Sequence, residues 1–171
     1  MTGSLRVARQ HTHRGSPTVV ELQVRDARVT DVDRITALLA PDGVLQDADR
    51  DASVVADLLR QLVYLPNATI IVALNGREVV GAAMLALRPS VRHGGLVGVV
   101  DLLAASPAPD AERIIRTLLS EILRSARNKG CVLVEAEPST DASDTERWIG
   151  WGFSQGHPRL ALEVVAGAIQ H

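Results

Sequence analysis

The sequence predicts an α/β (α+β) protein whose mixed central sheet has about six to seven strands and carries helices on both faces. Three observations predict this class. A strongly amphipathic helix lies between two apolar segments, an Asn-Gly pair separates two earlier apolar segments, and two shorter helical patterns precede that pair. A strand–helix–strand unit joins parallel strands through a right-handed crossover, whereas an Asn-Gly hairpin joins antiparallel strands, so the sheet is expected to be mixed.

The first third of the chain is predicted to form one strand and two helices. Apolar and polar residues alternate from Val19 to Arg25, as in a half-buried strand. Thr30 or Asp31 then caps a short helix that ends at Ala40. A second helix follows over residues 53–62. Its apolar residues recur at helical spacing and are expected to face the core: Val54, Val55, Leu58, Leu59 and Leu62.

An antiparallel hairpin is predicted in the middle of the chain. Residues 69–74 and 78–87 are the two strands. Asn75-Gly76 between them favours a type I′ turn, because both central positions of that turn need positive φ. Residues 96–105 form the next strand and lead toward the clearest helix of the sequence.

That helix carries a continuous apolar stripe on one side: Ile114, Ile115, Leu118, Leu119, Ile122, Leu123 and Ala126. Asp110 or Ser106 is expected to cap its start, and Lys129-Gly130 to end it with a cation and a residue that tolerates positive φ. Cys131–Ala136 is then predicted to be a strand buried on both faces. Beyond it we expect a short helix and a final strand over residues 160–165.

Composition limits the organisation and the class of partner. One domain is expected over residues 19–166, between a flexible N-terminal tail, 1–18, and a C-terminal tail, 167–171. A net charge of −2 does not indicate binding to nucleic acid. No apolar run is long enough to span a membrane, so we expect a cytoplasmic protein. The single cysteine excludes a multi-cysteine zinc site, and no metal is expected.

A family resemblance rests on the order of elements and on one frame of residues. An acidic residue opens the sequence Asp-Leu-Leu-Ala-Ala at Asp101, a proline-containing turn follows, and a leucine pair lies in the next helix. After the second strand, Trp148 stands four residues before Gly152-Phe153. This frame resembles the GNAT superfamily of N-acetyltransferases, in which a tyrosine occupies the position of Trp148, and it implies a GNAT-like sheet.

The resemblance implies a binding site for acetyl-CoA or another acyl-CoA. In the family, an Arg-x-x-Gly-x-Gly loop opens the helix and cradles the pyrophosphate, whereas this chain has Asp110, Arg113 and Ile115 at the three marked positions. Asp110 and Glu112 would repel phosphate, and Arg113 and Arg116 would offset them. The cofactor-binding residues that the resemblance implies are Leu103, Ala104, Ala105, Asp110, Ala111, Arg113, Ile114, Ile115, Arg116 and Trp148.

The implied reaction moves an acyl group from the thioester to an amine. Asp101 is the candidate general base, because burial in an apolar strand would raise the pKa of its carboxyl group. Glu135 and Glu137 are weaker candidates. Trp148 cannot replace tyrosine as an acid, since an indole N–H does not release its proton near neutral pH. Tyr64, the only tyrosine, is a remote candidate for that role.

The acceptor is expected to be a primary amine of a small molecule or a protein. The aspartates of residues 42–51 would attract a cationic amine, and GNAT-like domains often form homodimers. One alternative is a GNAT-fold binding or regulatory module without catalytic activity, which the altered loop and the missing tyrosine favour. Another is an unrelated α/β ligand-binding domain, against which the hairpin and the Gly-Phe pair argue.

Overall fold

The computed structural model describes residues 22–40, 52–137 and 142–156. The predicted tails, the acidic loop and the final strand over residues 160–165 lie outside the described residues. The elements run in the order β1 Leu22–Asp26, a 3₁₀ turn Val29–Asp31, α1 Val32–Leu39, α2 Ala52–Leu62, β2 Ala68–Asn75, β3 Glu78–Ser90, β4 Gly95–Ala105, α3 Ala111–Asn128, β5 Cys131–Ala136 and α4 Ala142–Gly150.

The described strands form one mixed five-stranded sheet in the order β1-β2-β3-β4-β5. Neighbouring strands from β1 to β4 are antiparallel, and the long helix α3 makes the connection from β4 to β5. The predicted fold class is therefore confirmed, with one or two fewer strands in the described part of the chain than expected.

The hairpin between β2 and β3 is present, but its turn lies one residue later than predicted. Asn75 pairs with Glu78, so Gly76 and Arg77 are the two central residues. Gly76 has φ of +62°, and no other residue type among those described has positive φ. The turn therefore carries its glycine at the first central position, as type II′ turns do, and the expectation of a type I′ turn was wrong.

Two helical layers cover opposite faces of the sheet. Alternate residues of β2, β3 and β4 pack with α1 and α2 in one apolar cluster that includes Val72, Ala82 and Leu102. Gly81, next to Ala82, faces the other layer: a Cβ added there would lie 2.6 Å from Cγ2 of Ile114 in α3. Because successive residues of a strand point to opposite faces, α3 lies across the sheet from α1 and α2.

Helix α3 has the bounds and the buried face that the sequence predicts. Its stripe is buried at five positions: Ile114, Leu118, Leu119, Ile122 and Ala126. The helix ends at Asn128 with Lys129 as its C-cap, and Gly130 follows with φ of +74° while its N–H donates to the carbonyl of Arg127. Gly130 thus ends the helix in the left-handed conformation that glycine tolerates.

Two elements are less buried than predicted. In α2, Val54 is 57% and Leu58 is 53% exposed, because the helix packs on α1 and β2 mainly through Ala56 and Leu59. In β5, Val132 is 58% exposed, so this strand is not buried on both faces. In both elements the apolar residues follow the expected spacing, but spacing alone does not determine whether another helix or strand packs on each face.

The chain divides into two compact units between Glu135 and Ala136. The sheet with α1, α2 and α3 belongs to the first, and α4 to the second. No helix in the described part of the chain has the length and apolarity that crossing a bilayer requires.

Candidate functional site

Asp101 lies at a β-bulge. Leu102 pairs with Met84 of β3, and Val100 pairs with the next β3 residue, Leu85, so Asp101 is the extra residue between two consecutive pairs. A bulge bends its strand and redirects a side chain, and bulges are frequent beside active sites. The side chain of Asp101 is exposed. The expectation that it is buried in an apolar strand was therefore wrong, because the bulge breaks the alternation on which that expectation rested.

The end of β4 is held firmly on β3. Leu103, Ala104 and Ala105 pair with successive β3 residues, and the N–H of Ser106 donates to the carbonyl of Val80 at 2.9 Å. The two alanines are buried and Leu103 is half-buried. This edge of β4 is therefore paired with β3 as far as Ser106, where the chain turns toward α3.

The other neighbour of β4 in the sheet is β5. A Cβ added to Gly95 would lie 2.8 Å from Cγ1 of Val132, and one added to Gly98 would lie 3.5 Å from Sγ of Cys131. Glycine at position 95 therefore lets the start of β5 approach β4 closely, whereas at position 98 the closest atom is Cδ1 of Leu85 in β3, 2.8 Å away. The bulge at Asp101 lies in the second half of β4, away from these contacts.

The first turn of α3 differs from the expected cap. Asp110 occupies the N-cap position, but its carboxylate makes no capping hydrogen bond. Its Oδ2 lies instead 3.3 Å from Nη2 of Arg113. One turn on, Nε of Arg116 donates to Oε1 of Glu112 at 2.8 Å. Each carboxylate that would repel a phosphate therefore has an arginine beside it, and the four side chains together carry no net charge.

The remaining loop positions divide between the core and the surface. Ile114 is 2% exposed and packs toward Gly81, so its side chain is unavailable to a ligand. Ala111 and Ile115 are half-buried. Arg113 and Arg116 line a shallow groove of about 530 Å³ on the outer side of α3, which Glu112 and Glu121 line as well. Of the predicted loop residues, these two arginines are the ones that present side-chain donors.

Trp148 belongs to the second unit and packs within an aromatic cluster. It is 9% exposed, and its ring meets those of Trp151 and Phe153 edge-on, with centroids 5.1 and 4.9 Å away. The N–H of Phe153 donates to the carbonyl of Trp148, the N–H of Gly152 donates to that of Ile149, and Gly152 has φ of +95°. This is a Schellman cap with its apolar contact, and it explains why an aromatic residue stands four positions before Gly-Phe.

The weaker candidates have other surroundings. Oε2 of Glu135 accepts a hydrogen bond from Nη2 of Arg88 at 2.7 Å, which gives this carboxylate a structural partner on β3. Tyr64 is 73% exposed at the end of α2, and Glu137 is also exposed. Among the described residues, no three side chains that could ligate a metal lie together.

A pocket that the sequence analysis missed lies at the end of β4. It has a volume of about 510 Å³ and is lined by Arg34 of α1, by Arg77 in the hairpin turn and by Ser106. The two arginines are 43 positions apart in the sequence, so no local pattern brings them together. Only the packing of α1 against β3 places them on one rim.

Comparisons with known proteins identify the fold. No family model and no curated protein matches the chain. Among solved structures, a transcriptional regulator from Bacillus halodurans C-125 shares 21% sequence identity with this chain and superposes with a TM-score of 0.74. The match covers 84% of this chain and 100% of the other. An acetyltransferase from Trypanosoma brucei is 20% identical with a TM-score of 0.65 over the same shares.

An aminoglycoside N-acetyltransferase in complex with CoA is 13% identical with a TM-score of 0.71, over 88% of this chain and 99% of the other. Further structural neighbours described as acetyltransferases have TM-scores of 0.72 and 0.69. The chain therefore has the fold of the GNAT acetyltransferases, as the sequence frame predicted.

Proposed function

We propose that this protein is an N-acyltransferase that moves an acetyl or other acyl group from an acyl-CoA to a primary amine of a small molecule or a protein. The observation that carries the proposal is the bulge at Asp101. It lies in the strand that leads into α3, and it places an exposed carboxylate there within a GNAT fold.

The first turn of α3 supports an acyl-CoA as the donor. The carboxylate of Asp110 does not cap the helix, and Arg113 and Arg116 lie on one exposed groove. Their ion pairs with Asp110 and Glu112 are solvent-exposed, and such pairs are worth about 0–1 kcal/mol. Breaking either ion pair to free a guanidinium for the doubly charged pyrophosphate therefore costs little, and the hydrogen bonds that the guanidinium then makes must outweigh the repulsion from the carboxylates of Asp110 and Glu112.

Asp101 has the role of general base in this proposal. The attacking amine must be neutral, and a carboxylate can take its proton through a bridging water. Because Asp101 is exposed, water reaches it without any rearrangement of the core. The backbone of Leu103–Ala105 follows on the same strand and is where we place the acyl-donor arm.

The proposal assigns no side chain to protonation of the departing thiolate. Trp148 supplies no acid, and the aromatic cluster around it makes a structural role sufficient. We therefore expect solvent to deliver this proton. A consequence is that variants of Tyr64, the only tyrosine, retain activity.

The test is calorimetric titration of the purified protein with acetyl-CoA, followed by an acetylation assay against a panel of primary amines. We expect micromolar binding, and we expect Asp101→Asn to lower turnover by about 10²- to 10⁴-fold while it keeps its affinity for acetyl-CoA. Asp57→Asn, an exposed aspartate on α2, is the matched control. Absence of binding at millimolar acetyl-CoA would sink the proposal.

A second candidate is a GNAT-fold binding or regulatory module without catalysis. The paired charges at Asp110 and Glu112 and the replacement of tyrosine by the packed Trp148 favour it. One of the structural neighbours is described as a transcriptional regulator. Binding of acetyl-CoA without turnover in the amine panel, with Asp101→Asn indistinguishable from the wild type, would favour this candidate.

A further inference from the structure

The pocket at the end of β4 combines an apolar floor with a charged rim. Leu38 and Val79 form the floor and are 8% and 6% exposed. Arg34, Arg77 and Glu78 stand on the rim. A volume of about 510 Å³ is within the range of small-molecule sites, which pair apolar walls with a few polar groups.

The pocket is held by three elements of the first unit. Ser106, which follows β4, is fixed by its hydrogen bond to the carbonyl of Val80. Nη1 of Arg34 lies 3.4 Å from the carbonyl oxygen of Arg77, which brings the helix side chain across to the hairpin turn. The two arginines are thus attached to elements that pack on one another, and the side chain of Arg34 is already directed toward the hairpin turn.

The arginines of this rim differ from those at the start of α3 in whether a carboxylate lies beside them. Arg113 and Arg116 on α3 each have a carboxylate beside them. Within the described ranges, neither Arg34 nor Arg77 forms a salt bridge, although Glu78 stands nearby on the same rim. The charge of Arg34 also acts on the carboxylate of Asp31, but without an ion-pair contact. Two guanidinium groups that no carboxylate in the described ranges contacts, above an apolar floor, therefore leave more N–H donors free for an anion than the first turn of α3 does.

We propose that this pocket binds the anionic oxygens, carboxylate or phosphate, of one of the two substrates, with Arg34 and Arg77 as the binding residues. The inference rests on the proposed acyl transfer, because it assigns the anion to a substrate of that reaction. The apolar floor accepts the carbon atoms next to the anion. Two groups could supply these anionic oxygens: an acidic group of the acceptor amine, or a phosphate group of the acyl-CoA.

The first measurement uses inorganic phosphate and citrate as probes in calorimetric titrations of the wild type and of three single variants, Arg34→Gln, Arg77→Gln and Arg92→Gln. Arg92 is the matched control: an exposed arginine in the turn between β3 and β4, at the other end of the sheet, without a salt bridge to any described residue. We expect each pocket variant to weaken citrate binding about tenfold or more, since hydrogen bonds to charged groups are strong, and the control to change it less than twofold.

The second measurement separates the two sources. The same variants are titrated with acetyl-CoA and with its 3′-dephospho form, and with L-phenylalanine and phenethylamine, which differ by one carboxylate. If the pocket holds a phosphate of CoA, Arg34→Gln weakens acetyl-CoA binding. If it holds the acceptor, acetyl-CoA binding is unchanged, and the preference for phenylalanine over phenethylamine is lost in the pocket variants.

The inference is wrong if all three variants change citrate binding equally, or if none of them changes it, while the wild type still binds acetyl-CoA. Failure of the proposed function has a different signature, because then acetyl-CoA does not bind to the wild type at all. Far-UV circular dichroism and thermal unfolding without ligand confirm that each variant is folded before titration.

Discussion

The two helical layers on the sheet are anchored in different ways. Helix α3 lies on one face through an apolar stripe in which Leu118 and Ile122 are fully buried. On the other face, α2 leaves Val54 and Leu58 exposed, and the start of α1 is tied to β1 by the buried carboxylate of Asp31. Similar apolar spacing therefore gave a complete layer in α3. On the other face it gave a partial layer, which a polar clamp, the Arg25–Asp31 ion pair, holds to β1.

The largest expected effect concerns the complete layer. Leu118→Ala removes a fully buried side chain from α3 and leaves a cavity against β3, so we expect the free energy of unfolding to fall by about 2–5 kcal/mol. Urea unfolding followed by far-UV circular dichroism measures it. A loss below about 1 kcal/mol would show that α3 is not the main anchor.

The close approach of α3 to the sheet gives the next prediction. In Gly81→Ala the new Cβ would lie 2.6 Å from Cγ2 of Ile114 and 2.9 Å from Cδ1 of Leu118, so we expect a loss of about 1–3 kcal/mol from overpacking. Gly150→Ala is the control, since nothing lies within 4 Å of its added Cβ and alanine favours helix. Equal stability of the two variants would contradict the close seating of α3.

The polar clamp of the other layer gives a pH-dependent prediction. The guanidinium of Arg25 donates to both carboxylate oxygens of Asp31, at 2.7 and 3.0 Å, and the N–H of Arg28 donates to Oδ2 at 2.8 Å. The hydrogen bonds from Arg25 lower the pKa of Asp31, against the opposing effect of burial. We expect Asp31→Asn to cost about 1–3 kcal/mol at pH 7.

This stabilisation is complete above the pKa of the unfolded carboxyl group, 3.8, and is lost as the pH falls through the lower value of the folded state. The difference between the wild type and Asp31→Asn therefore shrinks in acid, which unfolding at pH 7 and about pH 3 measures. Asp33→Asn, whose side chain is 83% exposed, is the control and changes little at either pH.

The smallest effect is expected on the exposed side of α2. Leu58→Ala removes a side chain that is 53% exposed, and we expect a change within about 0.5 kcal/mol, measured by the same urea unfolding. A loss comparable to that of Leu118→Ala would mean that a further part of the protein covers Leu58 in solution.

Local patterns predicted the elements whose causes are local. The stripe of α3, its end at Gly130 and the hairpin at Gly76 all follow from residues within a few positions of one another. The bulge at Asp101 does not, because it arises from the register between β3 and β4. The pocket rim of Arg34 and Arg77 likewise depends on packing between distant segments, which one sequence does not encode in a visible motif.

The frame of the candidate site was therefore predicted better than its chemistry. The position of Asp101 in the strand before α3 was correct, and its burial was not. Arg113 and Arg116 were expected to offset the repulsion of Asp110 and Glu112 by binding phosphate oxygens, whereas in the structure each arginine lies beside one of these carboxylates. Side-chain pairing of this kind is decided by rotamers and geometry, so the residue types alone left it open.

The aromatic cap of α4 has a practical consequence for spectroscopy. Both tryptophans of the chain, Trp148 and Trp151, lie in this one cap with their rings edge-on, so intrinsic indole emission reports on the surroundings of α4. An emission change on adding a ligand would locate its influence at the cap of α4, and a melting curve read at those wavelengths would follow the packing of these two rings.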